Sequence, residues 1–292
     1  MIFFVFLVTV LIGGSGAPLA KFSLLEFSPL TYVFLRALLA AAVIYPFVLK
    51  NIKIKKQTVK YLFAANALFA ANWILFALGV SKTTVIMSQV MYVPTALIVA
   101  IIGYIFLKEK INKEQVIGLV LTLFGMFFLI INSLNKQNSV SLGSPMGNAL
   151  IAAGMLTWSV YLVVTRKISN DYTPGVLTFF NFLLTIPISL VLVIFQGEAF
   201  PQSITPAAII ALVYIVLFSS IVFFMLIQWL VKHTSAFIPS LAIYPMTIIA
   251  TVAGVIFYGE KISINFLIGT AFVMSGVFMA TSYRFVRKYL RI

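Results

Sequence analysis

Apolar residues gather in ten long runs separated by short polar stretches: Met1–Ala20, Pro29–Leu49, Val59–Val80, Thr84–Leu107, Glu114–Asn132, Gly147–Thr165, Pro174–Phe195, Pro206–Val231, Ser235–Tyr258 and Ile264–Tyr283. At about 1.5 Å of rise per helical residue, runs of this length match a bilayer core of about 30 Å. The predicted elements are ten membrane-spanning helices, and the fold class is all-α integral membrane. Composition agrees: 62% of residues are hydrophobic, only 9% are charged, and the mean hydropathy is +1.13. An ordinary soluble domain carries about 25% charged residues. No basic segment leads the first run and nine more runs follow it. It therefore reads as a retained helix rather than a cleaved signal.

The runs are not independent of one another. Slid by 151 places without a gap, the stretch from Thr83 to Phe127 meets a second copy that begins at Thr234. The matched pairs include Pro94/Pro245, Gly103/Gly254, Glu109/Glu260, Lys110/Lys261, Gly118/Gly269 and Gly125/Gly276. A shared Leu or Ile means little in so apolar a chain. Shared Pro, Gly and a Glu-Lys pair in one register mark an internal duplication. At a shift of 145 the sixth run aligns with the first, placing Arg166 on Lys21, Pro174 on Pro29 and Asn181 on Arg36. The chain thus divides into a first five-helix repeat, residues 1–134, a connecting loop, 135–146, and a second repeat, 147–292. Five is odd, so the second repeat enters the membrane upside down. The architecture expected is ten helices in two inverted repeats, which is what alternating access uses.

The net charge of +14 points to topology rather than to nucleic acid. With the N-terminus inside, 15 Lys and Arg fall in cytoplasmic segments and 4 in outer loops. That bias predicts both termini in the cytoplasm of a multi-pass protein of the plasma (inner) membrane. The lipid bilayer is then the first partner, and no nucleic-acid partner is expected. The chain has no Cys, which excludes disulfides and thiolate metal sites.

Inside the runs, polar residues recur at helical spacing. Asn66 and Trp73 are seven apart and share a face of the third run. The fourth run carries Ser88, Tyr92 and Thr95 on one stripe with Gln89 beside it, interrupted by Pro94. The ninth repeats this with Ser240, Tyr244, Thr247 and Thr251, interrupted by Pro239 and Pro245. Two polar, proline-broken faces at matching places point to a shared central site with Pro94 and Pro245 as hinges. The alternative for the hydroxyls is that they bond back to the helix one turn up. Gly118 and Gly125, matched by Gly269 and Gly276, predict small-residue helix packing, a homodimer contact among the options. Gly13, Gly14 and Gly16 in the first run predict close approach of a helix or a solute. Arg36 is the charge that lies well inside a run. Burying it costs roughly 2.5–3.5 kcal/mol unless it snorkels or finds a partner. It lies about 10 Å along the axis from Pro29, within snorkelling reach of the outer surface.

The six acidic residues all fall at run ends or in loops. No mid-membrane carboxylate is available to carry a proton, and no metal-ligand cluster or nucleotide-binding glycine loop is present. No cofactor, metal or catalytic residue is expected, and an enzyme is disfavoured.

The pattern formed by Pro94, Glu109, Gln115, Gly118 and Gly125, with Pro245, Glu260, Gly269 and Gly276 in the second copy, resembles the EamA domain of the drug/metabolite transporter superfamily. Gly14-Ser15 with Lys21, Trp158 with Tyr161 and Arg166, and Arg36 fit the same resemblance; Gly13 and Phe266 depart from it. The resemblance implies a central cavity lined mainly by helices 1, 3, 4, 6, 8 and 9, and a small-molecule solute as the partner. Here it would be faced by Asn66, Trp73, Gln89, Tyr92, Trp158, Tyr161 and Tyr244, which are aromatic or uncharged. Aromatic faces suit apolar groups and bind ammonium, and amides orient polar ends. A phosphate wants Arg or Lys in the cavity. With no such residue evident there, the expected cargo is a neutral or zwitterionic metabolite, amino acids first, moved by export or facilitated diffusion. The rival transport reading is a phosphorylated-sugar or nucleotide-sugar exchanger. Glu109-Lys110 and Glu260-Lys261, at opposite faces, are candidate gates. Their alternative is surface ion pairs worth roughly 0–1 kcal/mol.

Overall fold

The computed structural model describes residues 1–107, 113–132, 134, 142–198, 200–201 and 203–290. Among these residues every regular element is helical. The spans are α1 (Ile2–Ser23), α2 (Pro29–Val48), α3 (Val59–Val80), α4 in two pieces (Val85–Val90 and Thr95–Leu107) and α5 (Lys113–Asn132). The second half supplies α6 (Pro145–Ile168), α7 (Pro174–Gln196), α8 (Pro206–His233), α9 in two pieces (Phe237–Ser240 and Ile243–Tyr258) and α10 (Ile264–Leu290). Eight of the ten are long and apolar enough to cross a bilayer as they stand; α5 and α10 carry the shorter apolar stretches Val116–Asn132 and Ile264–Gly276.

Local chemistry fixes where the helices begin and end. Pro145, Pro174 and Pro206 open α6, α7 and α8, where a missing N–H costs nothing. The preceding Ser144, Thr173 and Thr205 accept from the N–H groups of Gly147, Val176 and Ala208. Gly197 and Gly259 end α7 and α9 at φ of +64° and +60°, a left-handed conformation glycine adopts without strain. Large apolar side chains such as Phe47, Phe106, Phe195 and Phe257 are exposed on the outside, as expected where lipid is the solvent.

Each half is threaded through the other. Helix α1 packs on α8 and α9 of the second half, and α6 packs on α3 and α4 of the first. Helices α2 and α7 pair, as do α5 and α10. The end of the bundle where α1 begins is called lower here, and the other upper. At the upper end Lys21 Nζ donates to the carbonyl of Val80 at 2.8 Å. At the lower end Arg166 Nη1 donates to that of Val231 at 2.7 Å. The donors are 145 residues apart and the acceptors 151, the two shifts of the duplication. One contact is made twice, once at each end, as inverted repeats require.

The prolines break α4 and α9 in the same way. Proline offers no N–H to the carbonyl four residues back. Each time the preceding residue takes that carbonyl in a tighter turn: Val93 N–H to Val90 at 3.1 Å, Tyr244 N–H to Leu241 at 3.2 Å. These pairs too are 151 apart. The glycine faces of α5 and α10 meet within the chain. A Cβ on Gly125 would stand 2.8 Å from the Gly269 carbonyl oxygen, and one on Gly276 would stand 2.6 Å from that of Gly118. These faces are therefore occupied, and a homodimer would have to use another surface.

Candidate functional site

A cavity of about 130 Å³ lies at the seam of the two halves, walled by α1, α2, α3, α4, α6, α8 and α9. Glycines bring α1 to it. A Cβ on Gly13 would stand 2.5 Å from the Met246 and Phe223 side chains, so only glycine lets α1 lie this close to α8 and α9. Gly16 faces open space on the same wall.

Four of the residues expected at the site, Trp73, Gln89, Tyr92 and Trp158, line this cavity. Asn72 ties two walls together: its amide nitrogen donates to Tyr92 Oη at 2.6 Å and to the Gly154 carbonyl at 2.8 Å, joining α3, α4 and α6. Tyr161 is fully buried one turn below Trp158, with the two rings stacked at 5.0 Å between centroids. Its hydroxyl receives the amides of Asn181, at 2.5 Å, and Gln228. Tyr161 therefore supports the wall rather than forming it. Tyr244 packs beside the cavity in the cluster around Met91 and Met155 and does not reach the lining. Asn66 is corrected more sharply. It shares a face of α3 with Trp73 but lies about 10 Å further down. There it lines a separate apolar groove between α3 and α7, with Leu62, Phe63, Phe180 and Leu183.

The hydroxyl stripes resolve in favour of back-bonding. Ser88, Thr95, Ser240 and Thr247 donate to the carbonyls of Val85, Tyr92, Phe237 and Ile243 at 2.5–2.7 Å. Their O–H donors are thus spent on the helix itself, where such bonds favour bending.

Of the two options for Arg36 the structure takes the internal partner, and it corrects the expectation that no Arg or Lys stands in the cavity. Arg36 is buried, 9% exposed, and on the cavity wall. Its Nε donates to Ser220 Oγ at 2.7 Å and its Nη2 to the Ser219 carbonyl at 2.9 Å. The guanidinium lies over the Trp73 ring, 4.0 Å from its centroid, a cation–π contact. Partners on α8 and α3 thus outcompete the surface. The two α8 partners lie in a π-helical segment, Ile215–Val222, where Ser219-Ser220 interrupt an apolar run. That serine pair was the available sequence signal, and the π segment had none.

Along the α3, α6, α7 and α8 side of the cavity, Phe69, Trp73, Trp158, Tyr161, Phe182 and Phe224 form a continuous ring cluster, with centroid separations from 4.8 Å for Phe69–Phe224 to 6.3 Å for Phe182–Phe224. Above the cavity, Glu260 accepts from the N–H groups of Val85 at 2.6 Å and Ile86 at 2.9 Å, capping α4 from the end of α9. Lys21 holds the same α3–α4 turn from the other side through the Val80 and Thr83 carbonyls. Lys261 is exposed and makes no ion pair among the described residues. Glu109 and Lys110 lie outside the described residues. Among the described residues no group of acidic, His or Cys side chains is arranged to hold a metal.

A mixed polar and aromatic cavity between inverted halves of a membrane-embedded bundle defines the class: a multi-pass membrane transporter. The sequence matches the EamA-like transporter family over residues 1–131 and 145–282. The chain belongs to that family. A Clostridium kluyveri protein named as an uncharacterized transporter is 25% identical over 272 residues, covering 90% of this chain and 86% of its own. The Bacillus subtilis uncharacterized transporter YyaM is 25% identical over 284 residues, covering 94% and 92%. A solved crystal structure superposes with a TM-score of 0.65 over 96% of each chain at 16% identity, a likeness of fold alone.

Proposed function

We propose that this transporter is a secondary carrier of small neutral or zwitterionic metabolites, amino acids foremost, working by alternating access as an exporter or facilitator. The observation that carries the reading is the central cavity, where broken helices from opposite halves meet around Trp73, Gln89, Tyr92 and Trp158. Halves 1–134 and 147–292 rock about the breaks at Pro94 and Pro245, so the one site faces either side in turn. The bias of 15 against 4 basic residues supports a plasma-membrane orientation with both termini on the cytoplasmic side. The lower end is then cytoplasmic and the upper end external. Glu260 acts as the upper gate by capping α4. Glu109, its match in the repeat, has the corresponding role below, with Lys110 and Lys261 as the cationic members of the two pairs.

The test is counterflow in proteoliposomes preloaded with unlabelled amino acids, following labelled aromatic and aliphatic ones. The proposal expects saturable uptake, lost in folded Trp158→Ala. Absence of uptake by intact folded wild-type protein would remove amino acids as the cargo.

A further inference from the structure

Among the described residues Arg36 has no counter-charge. Four acidic side chains are committed at the ends of the bundle: Glu26 to Thr205, Asp171 to Lys55, Glu198 to the start of α2 and Glu260 to the start of α4. The ion pair found among the described residues is Lys55–Asp171. A guanidinium has five N–H donors in a planar fork that fits a carboxylate edge to edge. Three contacts hold it: Ser220 Oγ, the Ser219 carbonyl and a long one of 3.4 Å to Tyr32 Oη. Two N–H groups are therefore left over, on a side chain nine-tenths buried against the cavity. An uncompensated charge at such depth in a membrane is costly and marks a functional site by default.

Two further polar groups on the same wall lack partners. Gln89 Oε1 and Ser219 Oγ are buried with nothing to bond to, although the two residues are only 5% and 4% exposed. Gln89 Oε1 is an acceptor and needs a donor. The cavity thus offers spare donors on a cation, a spare acceptor, and apolar surface from Trp73, Phe76, Trp158 and Phe223.

We propose that Arg36 binds the carboxylate of the transported solute, with Gln89 receiving an N–H of the same molecule and the aromatic wall taking its apolar part. The inference rests on the carrier reading above and narrows its cargo to solutes bearing one carboxylate. A single cation favours a monocarboxylate over a phosphate monoester, which carries about −1.5 to −2 at neutral pH. The Trp73 ring beneath the guanidinium and the contacts to α8 hold the fork before the solute arrives, so little ordering is left for binding to supply.

The experiment is a tryptophan-fluorescence titration of the full chain in detergent, since Trp73 lies under Arg36 and Trp158 faces the cavity. The probes are phenylalanine, 3-phenylpropionate (carboxylate without amine), phenethylamine (amine without carboxylate) and phenyl phosphate. The proposal expects saturable, mutually competitive binding of phenylalanine and 3-phenylpropionate, with phenethylamine and phenyl phosphate at least tenfold weaker. Arg36→Gln is expected to weaken the two carboxylates at least tenfold and leave phenethylamine unchanged, with Arg36→Lys in between. If Arg36→Gln fails to fold, the wild-type probe series decides alone. Phenethylamine binding as tightly as 3-phenylpropionate, phenyl phosphate binding more tightly, no binding of either carboxylate, or indifference of a folded Arg36→Gln each overturns the proposal. Any of these beside saturable amino-acid counterflow sinks the anion site and spares the carrier. Carboxylate binding without amino-acid counterflow does the reverse.

Discussion

The cavity is bounded by unlike materials at its upper end and along its α3, α6, α7 and α8 side. Above, the closure consists of hydrogen bonds to backbone groups: Glu260 on the first N–H groups of α4, Lys21 on the last carbonyl of α3, and Tyr258 Oη donating to the Pro18 carbonyl at 2.6 Å. Along the side, the wall consists of rings from α3, α6, α7 and α8 packed against one another. Hydrogen bonds act over a few tenths of an ångström and are made or lost as units. Burial of ring surface is non-directional by comparison and scales with area. The upper closure is therefore suited to act as a latch, while the ring wall carries much of the stability of the fold. Both lie at the same seam, because each half's first helix is docked on the other half.

Breaking the ring wall has the largest expected effect. Phe224 touches Phe69, Trp73, Trp158, Phe182 and Phe223. Phe224→Ala is expected to cost about 3–5 kcal/mol, read as a lowered thermal unfolding midpoint in detergent. A midpoint within error of wild type would show that the rings are not what holds that side of the bundle.

The latch is expected to give less in stability and more in conformation. Glu260→Gln loses the charge from two backbone hydrogen bonds, a change of about 1–3 kcal/mol. That lowers the unfolding midpoint less than Phe224→Ala does and raises the share of the form open at the upper end, checked by distance measurements between spin labels on α4 and α9 at that end. An unchanged distance distribution would mean that Glu260 is only a helix cap. The smallest effect separates support from contact. Tyr161→Phe removes the hydroxyl that Asn181 and Gln228 address and leaves the ring in place. It is expected to cost about 1 kcal/mol with transport retained, because Tyr161 stands behind the wall. Loss of uptake at wild-type stability would put the hydroxyl in the solute's path.

The same contrast explains what was legible in the sequence. Ten spans were readable because a bilayer sets their length, and inversion followed from the odd number of spans per repeat. The breaks in α4 and α9 followed from Pro94 and Pro245, since proline's missing N–H acts within its own helix. Partners across helices were not readable. That Glu260 stands at a helix end was plain, but that it caps α4 depends on how the halves interlock. Asn66 was assigned to the cavity because helical periodicity gives a face and not a depth. For Arg36 both snorkelling and an internal partner stayed open, because a lone cation in an apolar run carries no sign of the Trp73 ring or the α8 groups that hold it.

The central claim is that one cavity is opened to one side at a time and that the upper latch controls it. The absence of native cysteines allows a direct measurement. A single Ser240→Cys, on the cavity wall, is labelled from each side of oriented proteoliposomes with a membrane-impermeant maleimide, with and without Glu260→Gln. The account predicts slow labelling from outside in the Ser240→Cys protein, at least several-fold faster external labelling with Glu260→Gln, and a matching fall from inside. Equal rates from both sides that ignore Glu260→Gln would contradict alternating access through this cavity.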